Sequence, residues 1–384
     1  MLDHAITRFK DFLWRLPWGV FLLILLAFLV LKNGLWVAPG IETIRAISLD
    51  LHHNPVAHEP RAQFLMYSYF GPLLAHLLHA NGTTQQFVLM HFLFWLVGTV
   101  AILYRVREKF GDDLGRLAGL ALVGLPVTTT CLVWLGKSDG FVFVCSSLLF
   151  LTASSPVAFV AGIILGLANF EQGVFIVLFL LIPACLIKRP AVLSVRLLLF
   201  GLAGLAVGEG LMLGWFHYNH FDLNSGRLYY MLSEGAGGFA HQLAFHFGVL
   251  ALSLFGAFWP YLIFRLEAAR ETDRQLFTGA AIGLAGAAAL LCVVMDSTRV
   301  FALLTWPIFL LLLPGLLDEG ARRAELKKIF LACALAAVVF PPLMVAPDRL
   351  FSSANYVFGE RVITAVETSQ PVFPDKNLPD LSSP

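Results

Sequence analysis

Apolar runs close to the length of a bilayer recur along this chain. The run from Trp18 to Leu31 carries no charge, and comparable runs follow through to the residues around 340. A helix rises 1.5 Å per residue, so roughly 20 apolar residues cross a hydrocarbon layer about 30 Å thick. One soluble core cannot hide so many runs. Of the 384 residues 58% are hydrophobic and 13% charged, where soluble domains carry about 25% charged residues. The sequence therefore predicts an all-α, polytopic membrane protein. Spans are expected near 16–37, 84–104, 117–136, 140–155, 156–171, 173–187, 197–216, 242–264, 277–295, 300–317 and 329–347. That is about 11 transmembrane helices, the fourth to sixth being short.

Lysine and arginine in the loops orient the spans. With the N-terminus cytoplasmic, the inner segments hold the Arg8–Arg15, Arg105–Arg116, Lys188–Arg196, Arg265–Arg274 and Arg322–Lys328 clusters. These contain 17 of the 26 basic residues. The C-terminus is then extracytoplasmic. Residues 1–347 are expected to form one transmembrane domain, with 38–83 as its first outer loop. Residues 348–384 read as a polar, proline-containing tail, partly disordered. No small-x-small cleavage site follows the first run, which reads as a retained helix. The five cysteines lie in apolar runs without a CxxC pair, so neither a disulfide framework nor a metal site is expected. No cofactor is called for. The formal net charge of +1 says nothing about partners; no basic block suggests nucleic acid, and no nucleic-acid partner is expected.

On this topology the polar residues gather on the outer side. The first loop holds Glu42, Asp50, Glu59 and several histidines. Its segments Glu42–Leu51 and Ala62–His79 each have an apolar side and are too short to span, so two interfacial helices are expected. Later outer turns carry Lys137 and Asp139, then Glu171, then His217, Arg227, Tyr229 and Tyr230, then Asp296 and Arg299. Charges at the membrane boundary face protein or a water-filled cavity and seek partners. Lys137 with Asp139, and Asp296 with Arg299, offer opposite charges at turn or helical spacing. A capped helix end explains any one of these motifs; their occurrence on one face points to one outward-facing site. Glu209 lies about two turns below the outer end of its span. The glycine- and alanine-rich runs Gly201–Gly214 and Gly279–Ala289 read as close helix contacts.

Taken together, the stretches Gly40-Ile41-Glu42-Thr43-Ile44-Arg45, Gly71-Pro72-Leu73-Leu74, Gly136-Lys137-Ser138-Asp139 and Asp296-Ser297-Thr298-Arg299 resemble the GT-C superfamily of membrane glycosyltransferases. The resemblance covers most of the chain as architecture and rests on short motifs. It departs from the family in having a lone Glu42 where an acidic pair is common, and in lacking a soluble C-terminal domain. It implies a polyprenyl-phosphate-linked sugar donor and a glycan, lipid or protein acceptor. Glu42 or Asp50 would be the general base. Lys137, Arg299 and Arg227 would hold the phosphate. Asp139, Glu171 and Asp296 would orient those cations or bind sugar hydroxyls; Trp134 and Tyr229 would stack on a sugar, and His217 joins the substrate side. A bacterial inner membrane, with the site facing the periplasm, is the expected setting. The competing expectations are a transporter or flippase of a lipid-linked glycan, a glycan polymerase or ligase, and a structural membrane subunit.

Overall fold

Proline and glycine set most of the helix ends. Pro17 separates α1 (Leu2–Arg15) from α2 (Trp18–Asn33), and the two meet at a 120° bend. Proline lacks an N–H, which suits the first position of a helix and forbids running straight through. The chain continues as α3 (Ile41–Leu49), a 3-10 segment (Pro60–Tyr67), α4 (Phe70–Leu77), α5 (Thr84–Phe110), α6 (Asp112–Gly124), α7 (Pro126–Val133) and α8 (Asp139–Leu151). Then come α9 (Ser155–Ile187), α10 (Val195–Tyr218), α11 (Ala236–Phe255), α12 (Trp259–Thr272), α13 (Arg274–Leu290), α14 (Ser297–Leu312) and α15 (Ala321–Val339). Strands β1 (Leu343–Ala346) and β2 (Arg349–Ser352) close the described chain as an antiparallel pair. This computed structural model describes residues 2–37, 40–58, 60–187, 193–221, 236–294, 296–316, 321–340, 343–346 and 349–352.

Among the described residues, five helices are long and apolar enough to cross a membrane: Thr84–Phe110, Ser155–Ile187, Val195–Tyr218, Phe247–Thr272 and Ser297–Leu316. Counting the bent pairs α1–α2 and α6–α7 as one span each brings the number to seven. The fold is thus a helical bundle compatible with a multi-pass membrane protein.

Side-chain contacts give the helix directions. Trp18 meets Gly115, Leu25 meets Gly119 and Lys32 donates to the Val123 carbonyl, so α2 runs parallel to α6. Trp95 meets Gly140, Val144 meets Gly98 and Lys109 donates to the Phe150 carbonyl, so α5 runs parallel to α8. Arg299 meets Asp139 and Trp306 donates to Ser147, so α14 follows α8.

The 33-residue α9 is two helical halves. Asn169 has extended backbone angles (φ −167°, ψ 85°). A Cβ on Gly173 would stand 3.3 Å from the Leu165 Cβ, a distance a straight helix cannot give residues eight apart, about 12 Å in rise. The chain folds back at Asn169. Its side chain accepts from the Gln172 amide at 3.3 Å and donates to the Gln172 side chain at 2.9 Å, an N-cap for the second half. The first half runs parallel to α10 with backbones touching. A Cβ would lie 2.1 Å from Gly201 O at Gly162, 2.4 Å from Leu205 O at Gly166 and 2.0 Å from Phe159 O at Gly204. Such close approach of small residues is how helices associate where lipid removes the hydrophobic drive.

Three expected elements differ. The Ala62–His79 helix is split into the 3-10 segment and α4, because the ring of Pro72 clashes with a helical carbonyl four residues earlier. The loop elements do not simply lie on the surface: Ile41, Ile44, Ile47, Met66, Tyr69 and Ala75 are buried against the bundle. The expected 329–347 span is α15, which ends at Val339 ahead of Pro341 and Pro342, and 343–346 form β1.

Candidate functional site

The turn between α7 and α8 is built by sequence in three steps. Gly136 has φ +97°, and Ile41 Cδ1 would stand 2.0 Å from a Cβ there, so both backbone and space require glycine. Val37 and Leu135 form a parallel bridge beside it, tying the chain that follows α2 to the turn. Ser138 then precedes Asp139, which opens α8, where a helix N-terminus favours a carboxylate.

Asp139 is 1% exposed and accepts from Arg299 Nε at 2.7 Å. Arg299 also donates to Asp296 at 2.8 Å, across one turn at the start of α14. Lys137 Nζ lies 4.2 Å and Arg299 Cζ 5.2 Å from the Trp134 ring centroid, both within cation–π range. Two cations and two carboxylates thus share one indole. Buried charges persist only when paired in this way.

The cluster lies in a recess. Asp139 starts a 13-residue helix and sits level with Trp95 of the 27-residue α5. Thr84, at the top of α5, is 11 residues higher, or about 16 Å. Phe70, at the start of α4, reaches into this space and meets Phe141 edge-on at 4.9 Å.

Among the described residues, six buried polar atoms on α5, α7, α8 and the turn between the last two have no hydrogen-bond partner: His91 Nε2, Trp95 Nε1, Thr130 Oγ1, Trp134 Nε1, Ser138 Oγ and Asp139 Oδ2. Buried polar groups are paired in the great majority of cases, so each such group needs a reason. Their concentration on α5, α7, α8 and one turn makes this the candidate site.

Of the residues anticipated from sequence, the structure brings together Lys137, Asp139, Asp296 and Arg299. Asp139 pairs with Arg299 on another helix, a partner that sequence spacing alone does not offer. Trp134 carries the cations rather than an open stacking face and is buried. Glu42 is next to the cluster through Ile41. Its half-exposed carboxylate turns to Thr84 and to Arg45 at 2.7 Å. The Thr84 hydroxyl first, then Arg45, holds the carboxyl below its usual value. Asp50 is exposed at the other end of α3 and accepts from the His52 amide at 2.9 Å. His52 bonds Asn219 at 2.8 Å and packs its ring, tilted by 52°, against Trp215, so Asp50 belongs to a second group beside the end of α10. His217 is exposed near that end. Glu171 is half-buried in the first turn after Asn169. Glu59, Arg227, Tyr229 and Tyr230 lie outside the described residues.

Three residues were not anticipated. His91 and Trp95 read as interior residues of an apolar run, and only three-dimensional contact reveals their unpaired nitrogens. Lys32 falls inside the first expected span, 16–37, and drew no reading of its own. It is buried, donating to Val123 O at 2.6 Å and to Ala337 O, beside a cavity of about 70 Å³ lined partly by Thr129, Ser253 and Gly256.

No protein-family model, curated protein or solved structure matches the chain.

Proposed function

We propose that this protein is a membrane glycosyltransferase of the GT-C type, transferring a sugar from a polyprenyl phosphate to an extracytoplasmic acceptor. The observation that carries the reading is the recessed cluster: Lys137 and Arg299 over Trp134, ringed by unpartnered buried polar atoms. Cations fixed in advance stabilise a phosphate as its charge grows on leaving. Asp139 and Asp296 hold Arg299 in place, while Lys137, half-buried, meets the phosphate. Glu42 is the acceptor's general base, ionised at neutral pH by its bonds to Thr84 and Arg45.

The same reading takes eleven passes with the N-terminus cytoplasmic. Support comes from the helix directions: α2 and α6–α7 run against α5 and α8, α9 reverses at Asn169, and the Gly136–Asp139 turn and Asp296 fall at one end. The setting is a bacterial inner membrane with the recess facing the periplasm.

A lipid-linked glycan flippase is the second reading, favoured by one observation. The helix breaks at Leu125–Pro126 and Gly256–Phe258 flank the Lys32 cavity, and broken helices around a buried site occur in transporters.

The test is mass spectrometry of surface and lipid-linked glycans from a deletion strain rescued by wild type, Lys137→Met or Glu42→Gln. A glycan missing one sugar, restored by wild type and not by Lys137→Met, is the expected result. A complete glycan stranded on its carrier selects the flippase. An unchanged profile removes glycan chemistry altogether.

A further inference from the structure

Three of the unpartnered nitrogens belong to one place. His91, Trp95 and Trp134 line a single cavity of about 10 Å³ beneath Lys137, closed by Gly140 and Phe141. All three side chains are nine-tenths or more buried. The His91 ring is fixed: Nδ1 lies 2.9 Å from the Phe87 carbonyl. A carbonyl only accepts, so Nδ1 carries the proton and Nε2 presents a lone pair. The two indole nitrogens are donors only. The cavity therefore offers two N–H donors and one acceptor, in a volume that admits a single oxygen atom. A metal ion does not suit it, because the indoles cannot ligate. An O–H group satisfies all three, accepting twice and donating once. Gly71 of α4 keeps this arrangement accessible: a Cβ there would stand 2.7 Å from His91 Nε2.

We propose that His91, Trp95 and Trp134 form a binding site for one hydroxyl-type oxygen, with the indoles donating to it and His91 Nε2 accepting its proton. The oxygen belongs to water or to a substrate alcohol. Resting on the transferase reading, an alcohol held here belongs to the substrate and is oriented by the site, with Glu42 remaining the acceptor's general base.

The test uses the full chain in lipid nanodiscs with ¹⁵N-labelled histidine and tryptophan, read by NMR and assigned by His91→Gln, Trp95→Phe and Trp134→Phe. The expected result is a His91 Nε2 resonance shifted in the direction of an accepted hydrogen bond, moved again by each Trp→Phe variant, since all three share one oxygen. Magnetisation transfer from water to both indole N–H protons identifies water; its absence, with the shift retained, identifies a bound alcohol. Gly71→Ala, which removes no polar group, is expected to move Nε2 toward the resonance of a bare nitrogen. A bare-nitrogen resonance in wild type, or one indifferent to both Trp→Phe changes, overturns the site. A separate arm measures glycan transfer by His91→Gln. If the deletion strain shows no glycan change, the transferase reading fails while the NMR result still decides the oxygen site.

Discussion

Asp139 and Arg299 stand 160 positions apart in the sequence and 2.7 Å apart in the fold. The pair joins the N-terminus of α8 to that of α14, and Asp139 is almost fully buried. Removing one partner leaves the other charge buried, which costs about 3–5 kcal/mol. Arg299→Met is therefore expected to lower the melting temperature in detergent sharply. Asp139→Asn combined with Arg299→Met should recover much of that loss, since the one charge left without its partner, Asp296, is partly exposed. A double-mutant cycle with additive losses would refute the coupling.

The contact between the first half of α9 and α10 makes a sharper structural prediction. Gly162→Ala and Gly204→Ala each drive a methyl into a facing carbonyl, and overpacking of this kind costs about 1–3 kcal/mol. Gly210 and Gly214 on the same helix have nothing within 4 Å of a Cβ. Alanine there should be neutral or stabilising by up to about 1 kcal/mol, the helix-propensity difference. Thermal unfolding of the four variants gives the comparison, and equal behaviour at all four positions would mean that the two helices are not in backbone contact.

Lys32 draws together three helix ends. It lies in the last turn of α2, and its ammonium bonds carbonyls in the last turns of α6 and α15. Helix C-termini carry about half a negative charge each and leave carbonyls unpaired, so the ammonium is neutralised without a carboxylate. Lys32→Met strips two carbonyls of their donor, each worth about 1–3 kcal/mol when buried. Lys32→Gln keeps two N–H donors and should lose less. Melting curves ranking wild type above glutamine above methionine are expected; methionine at or above wild type would show that lipid or water meets those carbonyls.

The helical, multi-pass character of the bundle was legible because the length of apolar runs is a one-dimensional signal. The clustering of Lys137, Asp139, Asp296 and Arg299 followed from topology alone, once the turns holding them were assigned to one side. Which carboxylate took which cation did not, because Asp139 chooses between Lys137 two residues away and Arg299 on another helix only through packing. His91 and Trp95 were hidden for a related reason. In an apolar run they read as core, and an unpaired ring nitrogen is a property of the neighbours. The split of the second loop helix was readable from Pro72, yet its apolar side outweighed the proline. Lys32 was passed over because a lone lysine inside an apolar run does not show which carbonyls it will meet.

Glu42 supplies the pH prediction. Its carboxyl is held below the usual value by Thr84 and then Arg45, so the contact between α3 and α5 contributes stability that is fully present above the unfolded value of about 4.3. That stability is lost as pH falls through the lower folded value. The carboxylate is half exposed, so the effect on global unfolding is small, and the local docking of α3 is the better readout. A spin-label or fluorophore pair placed on Leu49 and Gln85 should report an unchanged distance from pH 7 to about pH 5, and widening only at lower pH. Glu42→Gln, which cannot ionise, should show a pH-independent distance. A transition in wild type at or above the ordinary glutamate value would mean that Thr84 and Arg45 do not favour the charged form, and would remove the ground for treating Glu42 as an ionised base.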